Sequence, residues 1–131
     1  MTQKEIVAYW VDKAKDELDT AKIMFNANKY LYTGFMCHQS VEKALKAYFI
    51  YINDKRQPHE HNLEKLAKLT ELFDRFDEDK KQTLVKLNPL YIETRYEDYQ
   101  SAIADLLTDS YCNVLLIETE VLLEWILQSM K

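Results

Sequence analysis

Arg56, His59, Glu60 and His61 crowd into the stretch RQPHEH, and a helix-like apolar pattern starts directly after it. Two chemistries fit these residue types. A histidine can take the proton from a ribose 2′-hydroxyl, because its ordinary pKa lies near neutrality. An arginine stays charged and can meet a phosphate with two parallel hydrogen bonds. Arg56 and His61 together would therefore suit metal-independent RNA cleavage. Alternatively, His59, Glu60 and His61 offer two imidazoles and a carboxylate to a metal ion. A catalytic zinc needs three converging protein ligands, and neighbours on one short loop seldom converge. His38 is the third histidine and falls inside a helical pattern, so no metal and no cofactor are expected. The structural alternative for the pair is that Arg56 is a solvated charge at a helix C-terminus and His61 caps or packs at the next helix start.

The elements that position these residues follow from composition and period. The chain has 131 residues, about one domain in length, and a single domain over 1–131 is expected. It holds one glycine, Gly34, and two prolines, Pro58 and Pro89. So few turn-formers argue against a β-rich fold. Charges interrupt every early apolar run, and no apolar stretch approaches a membrane span of ~18 residues. A soluble, cytoplasmic protein is expected, with Cys37 and Cys112 as free buried thiols. The net charge of −5 opposes a general electrostatic grip on nucleic acid, though a local basic cleft can coexist with it.

Thr2 and Glu5 have the spacing of a capping box. Val7, Trp10, Ala14, Leu18, Ala21 and Phe25 then recur at three- and four-residue steps, which predicts a long amphipathic helix. Asn26 to Lys29 read as a turn. A second long helix carries Cys37, Val41, Ala44, Leu45, Tyr48 and Ile52 on one stripe and stops by Asn53-Asp54, before Pro58. Leu63, Leu66, Thr70 and Phe73 predict a short third helix capped by Asn62 or His61. Asp77 caps a fourth, which Pro89 ends or kinks. The stretch YIETRYEDYQ has no clean period and reads as irregular. Thr108 caps a last helix with Tyr111, Leu115, Leu122 and Trp125 inward. The sum is an all-α, up-and-down bundle of four to five helices, with two long N-terminal helices forming a hairpin.

The stretch CHQSVEKALKAYF carries Gln39, Glu42, Lys43, Lys46 and Ala47 in the order Gln-x-x-Glu-Lys-x-x-Lys-Ala. Pro58, His61 and Leu63 follow around the start of the third helix, and Arg95, Tyr96 and Asp98 come later. This combination resembles the HEPN domain family over essentially the whole chain. The resemblance implies a helical bundle that is commonly a homodimer. Such proteins often pair with a small nucleotidyltransferase in a two-gene toxin–antitoxin or defence module. Many HEPN proteins are metal-independent ribonucleases with an arginine and a histidine four to six residues apart; others have lost that motif and only bind or scaffold. Arg56 and His61 match the spacing. Gln57 stands where asparagine, aspartate or histidine is usual, and Leu63 stands where the two-gene toxins carry a modifiable tyrosine. Glu97 replaces the proline that usually follows the Arg-Tyr pair.

Two readings stay open on the sequence. In one, a dimer cuts RNA with Arg56 and His61 as catalytic residues. In the other, the domain binds a nucleotide or docks its partner through Gln39, Lys43, Arg95, Tyr96 and Asp98, since tyrosine and arginine can stack bases and contact phosphate. Lys43 and Lys46 have the simpler reading of a solvated face. In a continuous helix, residues five apart would point ~140° from one another, so the path between Arg56 and His61 decides whether they can share a site. Leu116, Leu123 and Ile126 on the last helix are left over as a candidate dimer seam.

Overall fold

Local side-chain bonds start most of the helices. In the computed structural model, Thr2 Oγ1 accepts from the Glu5 amide at 3.1 Å and Glu5 Oε1 accepts from the Thr2 amide at 3.3 Å. This reciprocal pair opens α1, Gln3–Asn26. The turn that follows holds Asn28 at φ 61°, a left-handed conformation that asparagine tolerates. Helix α2 spans Tyr30–Asn53 and ends on Asp54 at φ 49°. The backbone is described for residues 1–91 and 97–131, and the side chains for 1–91 and 101–131.

Asn62 caps α3, Leu63–Leu69. A 3-10 turn, Phe73–Arg75, leads to α4, Glu78–Leu87, capped by Asp77. A second 3-10 turn over Asn88–Leu90 contains Pro89, so α4 does end there as expected. Helix α5 is Glu97–Leu106, and Thr108 caps α6, Asp109–Gln128. Among the described residues there are six α-helices and no strand. The extra helix corrects the reading of YIETRYEDYQ as irregular: Glu97 to Gln100 belong to α5, while 92–96 lie outside the described residues.

Helices α1 and α2 are antiparallel. Gln3 Nε2 donates to the Ile50 and Tyr51 carbonyls, tying the start of one to the end of the other. Ser40 Oγ donates to the Ala14 carbonyl at 2.7 Å, which requires close helix approach, and Ala14 and Ala21 supply the room. Helix α6 packs on α2 and is fastened by Lys22–Glu120 to α1 and by Lys86–Glu118 to α4. Both these pairs are partly exposed, so each contributes at most about 1 kcal/mol. Burial of leucines such as Leu45, Leu66, Leu87, Leu115 and Leu122 stabilises the bundle more, by about 1.5–3 kcal/mol each.

Leu116, Leu123 and Ile126 belong to this core and are at most 8% exposed. They are not left over as an intermolecular seam. Helix α6 meets α1, α2 and α4, so its buried sector is wider than a single stripe and takes these three residues in. Its exposed apolar residues are Val114, Ile117 and Val121.

Candidate active site

Helix α2 is the central element and is buried on more than one side. Its second buried face is polar. His38, Glu42 and Lys46 succeed one another at four-residue steps and are all buried, with Glu42 only 2% exposed. Such a spacing stacks side chains one above the other. Lys46 Nζ donates to Glu42 Oε2 at 3.0 Å. The other carboxylate oxygen, Oε1, receives His61 Nδ1 at 3.0 Å.

His61 reaches Glu42 from the non-helical segment between α2 and α3. Three contacts fix its place there. His38 Nε2 donates to the His61 carbonyl at 3.0 Å. Glu60 Oε2 accepts from the His61 and Asn62 amides at 3.1 and 3.2 Å. Tyr91 lies flat against the imidazole, with centroids 4.3 Å apart and planes 9° from parallel. The ring remains about half exposed.

These bonds define the two imidazoles differently. Burial holds His38 down at about 4, against the partial compensation of Glu42, so it is neutral at pH 7. Its proton sits on Nε2, toward the His61 carbonyl, and Nδ1 has no hydrogen-bond partner at 3.8 Å from Glu42 Oε1. His61 points its Nδ1–H at a buried carboxylate. Its Nε2 is then left with a lone pair, as a base requires. The thiols offer no competing nucleophile: burial raises Cys37 to about 12 and Cys112 to about 11.

Arg56 is exposed and makes no ion pair or hydrogen bond among the described residues. It lies in the same non-helical segment as His61, so the angular separation of a continuous helix does not apply. Of the other expected binding residues, Lys43 turns away from this site. Lys43 Nζ donates to Glu17 Oε1 at 2.9 Å and joins α2 to α1. Gln39, one helical turn before Lys43, is half-buried, and its Oε1 has no partner. Arg95 and Tyr96 lie outside the described residues; Asp98 is in α5, with its side chain outside them. No group of three histidine, cysteine, aspartate or glutamate side chains is placed to hold a metal among the described residues.

Glu42, Lys46 and Tyr91 join the site without having been singled out for it. The signal for the first two was present: His38, Glu42 and Lys46 at four-residue steps inside a largely apolar helix require compensation for buried charge. A cleft of about 580 Å³ opens beside His61 and Tyr91 and runs to α4.

Comparison with known proteins agrees with this architecture. The HEPN domain profile matches residues 7–130. The crystal structure of ST0689, an archaeal HEPN homologue, superposes with a TM-score of 0.75 at 20% identity, covering 95% of this chain and 98% of that one. The crystal structure of TT1696 from Thermus thermophilus gives 0.74 at 22% identity, covering 93% and 96%. At these identities the likeness to the two structures is one of fold. No curated protein matches the sequence significantly. With the profile spanning nearly all of the bundle that carries the Glu42–His61 contact, the chain belongs to the HEPN family.

Proposed function

We propose that this HEPN domain is a metal-independent endoribonuclease. The observation that carries the reading is the bond from His61 Nδ1 to the buried Glu42 carboxylate. It orients an exposed imidazole and leaves Nε2 to act as base. In the reaction, Nε2 takes the proton of a ribose 2′-hydroxyl, and the 2′-oxygen attacks the adjacent phosphorus. The bond to the 5′-oxygen breaks, and that oxygen takes a proton from solvent. The products are a 2′,3′-cyclic phosphate and a 5′-hydroxyl. Arg56, free of other partners among the described residues, meets the charge that grows on the phosphoryl oxygens.

The biological setting is proposed from the family: a cytoplasmic homodimer, paired with a small nucleotidyltransferase in a toxin–antitoxin or defence module. The stripe Val114, Ile117 and Val121 on α6 is apolar surface available to a partner. The second reading, a domain that binds a nucleotide without cutting RNA, is favoured by the cleft beside His61.

The test is cleavage of a mixed-sequence RNA by the wild type and by His61→Ala. Loss of a general base typically lowers the rate by about 10²–10⁴-fold. Chelation should leave the rate unchanged, and DNA should survive because it lacks the 2′-hydroxyl. Equal activity in both proteins would identify a contaminating nuclease and leave the binding reading.

A further inference from the structure

We infer that the cleft beside His61 is a pocket for one unpaired RNA base, selects uracil, and belongs to the nucleotide on the 5′ side of the cut. This rests on the ribonuclease reading for its position in the reaction, but its ligand follows from the lining. A 2′-hydroxyl and its base sit on the same ribose. A base pocket that includes His61 therefore reads the nucleotide whose hydroxyl His61 deprotonates.

The volume of about 580 Å³ lies within the range of small-molecule sites. Tyr91 and Phe73 give the lining aromatic surface on which an unpaired base can pack. Lys81 also lines it, with Nζ 4.9 Å from the Phe73 centroid, and supplies a cation for the attached phosphate.

The polar groups are already partly committed, and the commitment sets the preference. Asn62 Oδ1 accepts from the Lys65 amide at 3.1 Å, and Asn88 Oδ1 accepts from the Leu63 amide at 3.0 Å. Both side-chain amides thus commit their oxygens to α3 and keep their NH₂ groups as donors. Glu64, on the same lining, pairs its Oε1 with Lys68 at 3.5 Å on the surface and keeps Oε2 as an acceptor. Two donors and one acceptor complement an edge with two carbonyls flanking an N–H. Uracil alone among the RNA bases has that edge. Guanine and cytosine have one carbonyl each, and adenine has none.

The experiment is calorimetric titration of wild type, Val85→Trp and Lys81→Glu with the four nucleoside 3′-monophosphates and with uridine. Val85 lines the cleft and is 63% exposed, so a tryptophan there fills the space with little effect on folding, which melts verify. Uridine 3′-monophosphate should bind about tenfold more tightly than the adenosine compound, the size of one net hydrogen bond. Val85→Trp should weaken it by about tenfold or more. Lys81→Glu should weaken the monophosphate much more than uridine itself. Four nucleotides binding alike, or undiminished binding by a folded Val85→Trp protein, would overturn the pocket. If Val85→Trp does not fold, Lys81→Glu decides: equal loss for uridine and its monophosphate overturns the placement. The two readings fail separately. Selective binding without RNA cleavage sinks only the ribonuclease; His61-dependent cleavage without base preference sinks only the pocket.

Discussion

Glu42 and His61 are 19 residues apart in sequence, yet Oε1 of one lies 3.0 Å from Nδ1 of the other, and the glutamate is buried while the imidazole is half exposed. A buried acceptor behind an exposed ring converts a loop histidine into an oriented one. Replacing Glu42 by glutamine keeps the size and removes the charge that, on the proposed mechanism, stabilises the imidazolium formed during proton transfer. RNA cleavage should fall by about 10²-fold or more, with substrate binding little changed. An unaltered rate in Glu42→Gln would remove the carboxylate from the mechanism.

Glu42 also answers the buried Lys46 ammonium. Glu42→Ala leaves that cation without a partner in the interior, which should cost about 3–5 kcal/mol of stability. Adding Lys46→Met to the same protein should restore most of the loss. Denaturant melts of the two variants check this, and a double variant no more stable than the single would refute it.

His38 sets a pH limit on the fold. Burial holds its folded-state pKa at about 4, below the ordinary 6.5. The unfolded chain therefore takes up the proton first as pH falls. The stabilising contribution is complete above about 6.5 and is lost progressively down to about 4, where the loss amounts to something on the order of 3 kcal/mol. Glu42, the His61 carbonyl and the Tyr91 ring lie beside the imidazole. His38→Gln keeps a donor for that carbonyl but does not titrate, so its melting temperature should fall less steeply between pH 7 and pH 4.5. Parallel curves for the two proteins would contradict the assignment.

Arg56 is exposed and unpaired among the described residues, so Arg56→Ala should change stability by less than about 0.5 kcal/mol. On the proposed mechanism its effect belongs to catalysis: the rate should drop by about 10²-fold or more, since the cation would act on charge that develops in the transition state. A fully active variant with an unchanged melt would leave Arg56 as a solvated charge.

Gly34 sits inside α2 where a Cβ would lie 3.0 Å from Leu107 Cδ1 and 3.2 Å from Leu90 Cδ1. Both leucines are buried. Alanine improves helix propensity by about 1 kcal/mol, but crowding in a packed core costs about 1–3 kcal/mol. The expected net for Gly34→Ala is a loss of about 1 kcal/mol, and Gly34→Val should lose more. Thermal unfolding of the two variants gives the order.

The sequence by itself determined the helices whose signals are local. Thr2, Asn62, Asp77 and Thr108 each accept from an amide three residues on, a bond whose two ends are legible together. Period determined the apolar stripe of α2 from Cys37 to Tyr48 in the same way, but it also took in Ile52, which is exposed in the last turn of the helix. Helix α5 escaped because Glu97 to Gln100 are charged, aromatic and polar with no clean repeat, so nothing local announces its start. Arg56 and His61 were legible as types at a spacing, and Gln39 and Lys43 as part of a motif. Only the tertiary structure decided which polar residues of α2 meet the loop. A central helix is buried on several sides, so one stripe cannot rank its faces, and Lys43 turns to Glu17 while Glu42 turns to His61. That choice depends on where a non-helical segment crosses α2. The cap at Asn62, the Glu60 bonds, the His38 bond to the His61 carbonyl and the Tyr91 stack fix that crossing together. Contacts made across 19 or more residues have no period in the sequence to betray them.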